Sequence, residues 1–100
     1  MLRASCLCGG IRLTVTGRHS GIAHCHCSRC RKLSGGGSFA QVLVQGEGLR
    51  WVSGEELVVI FELPSGYGSA FCRVCGSPAP ESNPQKTLYR IPVGLFDGDP

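Results

Sequence analysis

The stretch CLCGGIRLTV, residues 6–15, joins a CxC cysteine pair to an alternating strand through a Gly-Gly turn. Positions 11, 13 and 15 are apolar and the residues between them are polar, which is the period-two pattern of a strand with one buried face. Residues two apart on an extended strand point to the same side, so Cys6 and Cys8 can bind one metal ion from the strand end. We therefore predict a strand that begins beside a metal-binding turn.

The β pattern continues along the chain. Ala40, Val42 and Val44 alternate with polar neighbours, and the apolar run from Leu57 to Leu63 predicts a strand buried on both faces. A short helical turn is predicted from Ser28 to Leu33, because three glycines follow it. We predict an all-β fold of antiparallel sheets with short turns and little or no helix, in a single domain. The predicted strands lie at residues 11–15, 40–45, 49–52, 57–63 and 87–93, and residues 95–100 read as a loop.

Seven cysteines in 100 residues are the expected source of added stability, because a domain of this size has a small core. Disulfides need an oxidising compartment, whereas metal thiolates suit a reducing one. The N-terminus, MLRASCLCGG, has no apolar run long enough for a signal peptide. The longest apolar stretch, Leu57 to Phe61, is far below the roughly 20 residues of a membrane span. We therefore predict a soluble, cytoplasmic protein with no membrane partner.

Two cysteine pairs near opposite ends of the chain suit one closed metal site. A structural zinc takes four tetrahedral ligands, and a CxC pair and a CxxC pair can each supply two of them. Both pairs sit beside glycines, which permit the left-handed backbone that turns amide groups toward the sulfurs. We assign this structural zinc to Cys6, Cys8, Cys72 and Cys75.

The remaining cysteines, Cys25, Cys27 and Cys30, lie within six residues and offer three thiolates. Three protein ligands with a free fourth position are typical of a catalytic zinc, so an open second site is predicted. Alternatively, His24 or His26 completes the site, although on an extended segment both imidazoles point away from the cysteines. The cofactors predicted are therefore two Zn²⁺ ions, with incomplete occupancy of the second site because three ligands hold metal less firmly than four.

Disulfides are the other interpretation of the cysteines. A CxC disulfide is strained, and an odd number of cysteines in a chain without a secretion signal fits thiolate chemistry better. Metal also changes the charge, because seven thiolates on two Zn²⁺ ions lower the formal charge from +3 to zero. Nucleic acid is therefore not a predicted partner.

Three strings, CLCGGIRL, HCHCSRCRKLSG and FCRVCGS, in this order resemble the glutathione-dependent formaldehyde-activating enzyme family, also called the CENP-V/GFA domain family. The resemblance implies an Mss4-like fold, two zinc ions and a carbon–sulfur lyase activity that joins glutathione to formaldehyde. It places the structural zinc on the two outer cysteine pairs and the catalytic zinc on the central three. Family members usually continue beyond IPVGLFDGDP, residues 91–100, so it also implies a domain that lacks a C-terminal segment.

A thiol and a small aldehyde are thus the predicted partners. Arg29, Arg31 and Lys32 flank the open site and are candidates for binding the carboxylates of the thiol, and either histidine near the site is a candidate proton shuttle. The rival hypothesis is a non-catalytic, zinc-stabilised binding module for a protein or nucleic acid, because a fold alone does not fix function. The other aromatic residues considered are expected in the core, with one of them able to line a pocket: Phe39, Trp51, Phe71 and Tyr89.

Overall fold

The computed structural model describes residues 1–98, so the last two residues of the predicted terminal loop lie outside the described part. Every strand pair in this part is antiparallel. The prediction of an all-β fold with little helix is confirmed. The strands are β1 Leu2–Ser5, β2 Arg12–Val15, β3 Ala23–Cys25, β4 Phe39–Gln45, β5 Leu49–Ser53, β6 Val58–Glu62, β7 Gly68–Cys72, β8 Glu81–Ser82 and β9 Leu88–Pro92, and the α-helix is α1 Ser28–Ser34.

The strands form three sheets, with the orders β1-β2-β5, β3-β4-β9-β8 and β6-β7. The alternating strand expected at residues 11–15 is present as β2, where Leu13 and Val15 are each 1% exposed. These side chains join residues of the four-stranded sheet in one core, because each sheet turns a single apolar face inward. The largest fully buried side chains are Ile11, Leu13, Val15, Val42, Val44, Cys72 and Ile91.

The four-stranded sheet has two distinct faces. Residues directly opposite each other on antiparallel strands share a face, and Val42 lies opposite Ile91 in the core. Gln41 and its partner Pro92 lie on the other face, where both line a cavity. The alternation of residues 40–45 therefore assigns one face to stability and the other to the candidate site.

The helix α1 begins after Cys27 and ends at Ser34, one residue beyond the predicted turn, with Gly35 as its C-cap. Gly35 has a φ of 73°, the left-handed conformation that stops a helix, and its N–H donates to the carbonyl of Arg31. No residue of α1 is buried. The helix therefore lies on the surface and holds its cysteine at the edge of the sheet.

The prediction for residues 57–63 is correct about the strand and wrong about its burial. Ile60 is 61% exposed and Phe61 is 55% exposed. The reason is that, within residues 1–98, β6 pairs with β7 alone, in a sheet of two strands. A continuous apolar run fits a strand covered on both sides, but neighbouring sheets decide whether that cover exists.

The segment after β9 is more ordered than the predicted loop. Residues Val93–Leu95 form a 3₁₀ turn, and Leu95 is only 5% exposed. Phe96 then forms a β-bridge with Ala4, and the Asp97 N–H donates to the Arg3 carbonyl. Apolar residues of this segment therefore cover the edge of β1.

No helix within residues 1–98 has the length and apolar character that crossing a bilayer requires.

Candidate metal centres

Two similar tight turns carry the outer cysteine pairs. In the first, the Gly9 N–H donates to the Cys6 carbonyl at 3.0 Å. In the second, the Gly76 N–H donates to the Cys72 carbonyl at 2.8 Å. Both glycines have a φ of 78°, which a residue with a Cβ rarely adopts. The glycine that follows each pair thus lets the chain reverse while both sulfurs stay on the same side.

The four outer sulfurs come together although their pairs are far apart in the chain. The Sγ atoms of Cys6, Cys8, Cys72 and Cys75 all lie within 4.8 Å of one another. The Sγ–Sγ distance is 3.5 Å between Cys6 and Cys8 and 3.9 Å between Cys8 and Cys72. Tetrahedral zinc with sulfur at ~2.3 Å separates its ligands by about 3.8 Å, so this set fits a four-thiolate zinc site.

Backbone amides and a hydroxyl surround this cluster. The Ile11 N–H donates to Cys6 Sγ at 3.3 Å and the Gly10 N–H to Cys8 Sγ at 3.4 Å. The Ser77 hydroxyl, 3.3 Å from Cys75 Sγ, lowers the pKa of Cys75 to about 5, together with the Ser77 amide. The Gly10 amide lowers the pKa of Cys8, but the neighbouring thiols raise it more strongly, to about 11. Four thiols this close become thiolates together only when a cation compensates their charge.

The central cysteines form a second cluster where β3 meets α1. The Sγ atoms of Cys25, Cys27 and Cys30 lie within 4.8 Å of one another, and the first two are 3.6 Å apart. The Cys27 sulfur caps the helix by accepting the Cys30 N–H at 3.4 Å. This amide, followed by the side chains of Cys30 and Cys25, lowers the pKa of the exposed Cys27 to about 6. The donor set suits a soft divalent ion such as zinc.

Neither histidine joins the second cluster. His24 Nδ1 lies 3.2 Å from Ser38 Oγ, and His26 Nδ1 lies 3.2 Å from the Gly37 carbonyl oxygen. The two imidazoles stack on each other, with ring centroids 6.3 Å apart. Among residues 1–98, no fourth cysteine, histidine or carboxylate ligand atom lies within 4.8 Å of all three sulfurs. Within the described residues, the three thiols therefore form a group without a fourth ligand of these types.

Tyr67 is a site residue that the sequence did not indicate. Its hydroxyl oxygen lies 3.0 Å from Cys30 Sγ. Burial and the neighbouring Cys30 raise the pKa of Tyr67 above its usual value, so the phenol stays protonated at neutral pH. The guanidinium carbon of Arg29 lies 4.6 Å from the centre of the ring, a cation–π contact. Tyr67 belongs to the turn between β6 and β7, and only the folding of that hairpin against α1 brings it here.

A cavity of about 370 Å³ opens beside the second cluster. Its wall includes Cys25, Cys30 and Tyr67 at one end and Glu81 and Arg90 elsewhere. A neighbouring cavity of about 600 Å³ shares Glu81 and Arg90 and two glycines of the β6–β7 turn. Of the aromatic residues expected in the core, Tyr89 is buried, Trp51 and Phe71 are half-buried, and Phe39 lines the smaller cavity.

The predicted basic residues occupy different positions around the cavity. Arg29 lies against Tyr67, whereas Arg31 and Lys32 are exposed and do not line the cavity. Successive helix residues are about 100° apart, so Cys30 and Leu33 face the cavity while residues 31 and 32 turn away. The cation that lines the cavity is Arg90, which no sequence motif singled out.

The chain is similar to known proteins in sequence and in fold. The family model described as "Glutathione-dependent formaldehyde-activating enzyme" matches residues 1–100. A Halomonas elongata protein named "Putative glutathione-dependent formaldehyde-activating enzyme" is 35% identical over 83 residues, covering 77% of this chain and 53% of that protein. The chain thus spans about half the length of this curated relative. A Rhodobacter sphaeroides protein of known crystal structure has the same fold, with a TM-score of 0.76, 22% identity and coverage of 98% of this chain and 90% of the other.

Proposed function

The chain belongs to the glutathione-dependent formaldehyde-activating enzyme family, and from this premise we propose that it is a zinc-dependent carbon–sulfur lyase. The proposed reaction adds a glutathione-like thiol to formaldehyde or a similar small aldehyde. One observation carries the proposal: a cluster of three thiols borders a cavity beside a tyrosine hydroxyl. The free thiols also suit a reducing compartment, for which we propose the cytoplasm.

The two cysteine clusters have different proposed roles. Cys6, Cys8, Cys72 and Cys75 would hold a structural zinc, since four sulfurs at tetrahedral spacing leave no position for substrate. Cys25, Cys27 and Cys30 would hold the catalytic zinc. Zinc bound there would lower the pKa of a substrate thiol and would keep that thiol nucleophilic at neutral pH. The remaining steps depend on side chains of the chain itself.

In the proposed reaction, the sulfur of the thiol forms a bond to the aldehyde carbon. The π electrons of the carbonyl bond move to its oxygen, and this oxygen takes up the proton that the thiol has lost. Tyr67 is the proposed hydrogen-bond donor to that oxygen, because its protonated hydroxyl lies at the rim of the cluster. A donor placed where negative charge develops stabilises the transition state more than the ground state.

The positive charges of α1 are proposed to attract the thiol. Arg29 lies nearest the reacting groups through its contact with Tyr67. Arg31 and Lys32 add positive potential from the exposed side of the helix, an effect that salt should screen. His24 and His26 remain proposed proton carriers at the outer side of the cluster.

An NMR exchange experiment tests the proposal. Zinc-loaded protein should accelerate exchange between free formaldehyde and S-(hydroxymethyl)glutathione above the uncatalysed rate. The Cys27→Ser variant should lose this acceleration and fall from two zinc ions per chain to one with its β-sheet circular dichroism intact, because the four-cysteine site is separate. Absence of acceleration by wild-type protein carrying two zinc ions would refute the enzyme and favour the non-catalytic binding module. Complete unfolding of Cys27→Ser would show that both ions are structural.

A further inference from the structure

We propose that Glu81 and Arg90 form a binding site for an α-amino acid group carried by the thiol substrate. This inference rests on the proposed function, because it assigns the substrate class of the same cavity. In it, the α-carboxylate of the substrate binds the Arg90 guanidinium and the α-ammonium group binds the Glu81 carboxylate. The chemical class is a thiol with a zwitterionic amino acid end, such as a γ-glutamyl peptide.

The position of the pair follows from sheet register. Glu81 on β8 lies directly opposite Arg90 on β9, so both side chains project from the same face. Arg90 pairs with Leu43 of β4 on the face opposite the core. This is also the face of Gln41 and Pro92, which line the cavity beside the central cysteines. A positive and a negative group are thus held side by side in the wall of the candidate site.

Glu81 and Arg90 retain hydrogen-bonding groups that their contact with each other does not use. Arg90 Nη2 lies 2.5 Å from Glu81 Oε1, and no other side-chain partner of Arg90 is present among residues 1–98. A guanidinium has five N–H donors and a carboxylate has two acceptor oxygens, so donors of Arg90 and one oxygen of Glu81 remain available. The side chains are 49% and 24% exposed, respectively, which leaves both accessible from the cavities.

The charge arrangement selects a zwitterion over a simple anion. An α-amino acid carries its ammonium and carboxylate groups on one carbon, as close together as the two charges of the pair. A ligand with a carboxylate alone would meet the Glu81 carboxylate with a like charge, which raises its free energy of binding. An uncharged thiol would gain nothing from either residue. The Glu81–Arg90 pair therefore favours thiols that carry a zwitterionic amino acid group at the end remote from the sulfur.

The cavity can hold both ends of such a molecule. Cys25 and Cys30 border the same space of about 370 Å³ as Glu81 and Arg90, a volume within the range of small-ligand sites. The adjoining cavity of about 600 Å³ begins at the same pair and gives room for the rest of a peptide. A thiol at the cysteines and an amino acid group at Glu81–Arg90 therefore fit as parts of one ligand.

S-methylglutathione separates recognition from chemistry, because it has no free thiol to coordinate metal or react. We would measure its Kd for the zinc-loaded protein by NMR titration, and follow the amides of Ser82 and Tyr89 beside the pair. Arg90→Gln should raise the Kd about tenfold or more, since it removes a charge-assisted pair of hydrogen bonds. Arg50→Gln is the matched control: Arg50 is exposed on β5 and lines neither cavity, so its Kd should stay within about twofold of wild type.

The α-amino group of S-methylglutathione provides a second, independent test. Wild-type protein should bind the analogue of S-methylglutathione that lacks the α-amino group several-fold more weakly. Glu81→Gln should weaken binding of S-methylglutathione and abolish this preference, which a purely structural role of Glu81 would not do. Should Arg90→Gln fail to fold, the comparison of the two ligands on wild-type protein still decides the question. Equal Kd values for both ligands would overturn the inference.

The outcomes also separate this inference from the proposed function. Tight, Glu81-dependent binding of S-methylglutathione without any acceleration of exchange would retain the recognition site and reject the enzyme. Equal acceleration with glutathione and with 2-mercaptoethanol, at matched concentrations below saturation, would retain the enzyme and reject the recognition site.

Discussion

At the scale of single residues, Tyr67 connects the three-cysteine cluster to the cavity beside it. Its hydroxyl touches Cys30 Sγ, its ring supports Arg29, and its raised pKa keeps it a hydrogen-bond donor. One side chain has all three properties, and it lies outside all three cysteine motifs. The residue is therefore the most direct point at which to test whether the cavity does chemistry.

We expect Tyr67→Phe to lower kcat/KM about tenfold or more, because it removes a donor to the developing oxyanion and leaves the ring in place. Zinc content should remain at the wild-type value, since the three clustered cysteine sulfurs are unchanged. Tyr89→Phe makes the same chemical change in the core and should leave the exchange rate within about twofold of wild type. Wild-type exchange by Tyr67→Phe, measured by NMR, would contradict the proposed donor.

At the scale of elements, the neighbouring strands β4 and β9 each turn one face to the core and the other to the cavity. Val42 and Ile91 face the core, whereas Gln41 and Arg90 face the cavity. This division was predictable for β4, because a period-two pattern shows directly which residues share a face. It was not predictable for β8, which is two residues long and has no pattern of its own.

We expect Ile91→Ala to lower the free energy of unfolding by about 2–5 kcal/mol, because it leaves a cavity in a fully buried site. Leu43→Ala, on the adjacent strand and the opposite face, should cost less than about 1 kcal/mol since Leu43 is 39% exposed. Urea denaturation at a fixed concentration of free zinc measures both values, because bound metal adds to apparent stability. Equal losses for the two variants would show that the sheet does not have a single core face.

For β6 of the β6–β7 hairpin, the sequence predicted the strand correctly and its burial wrongly. Its apolar run was strong evidence for a strand, and the strand exists. Its outer side is exposed because the described part of the chain provides no strand beyond β6. The turn of this hairpin nevertheless delivers Tyr67 to the cluster, so its position matters to the site more than its burial does.

At the scale of the whole molecule, the four-cysteine cluster links two turns that lie more than 60 residues apart in the chain, as the 64-residue separation of Cys8 and Cys72 shows. A zinc ion bound across such a distance would hold two distant turns together, and its binding free energy would add to the free energy of folding. The three-cysteine cluster spans one turn and closes no comparable loop. The two sites should therefore contribute very differently to stability.

We expect a chelator to remove zinc in two steps. The first ion should leave from Cys25, Cys27 and Cys30 without loss of β-sheet circular dichroism, because that cluster is more exposed and has fewer ligands. The second should leave the four-cysteine site together with unfolding. Both steps should occur at lower chelator concentration as the pH falls, because protons compete with zinc for thiolates. A colorimetric zinc assay run beside circular dichroism would record the order, and simultaneous release of both ions would contradict it.

The β class, the inward face of two strands, the cysteine spacing within each motif and the family could all be predicted from the sequence. Each of these depends on residues close together in the chain, where strand periodicity and turn geometry fix which side chains point the same way. Three features required the folded structure: the contact of Tyr67 with Cys30, the shared cavity of Glu81 and Arg90, and the exposure of β6. These relations depend on which strands pair and in what register, and pairing is set by the packing of distant segments rather than by local spacing.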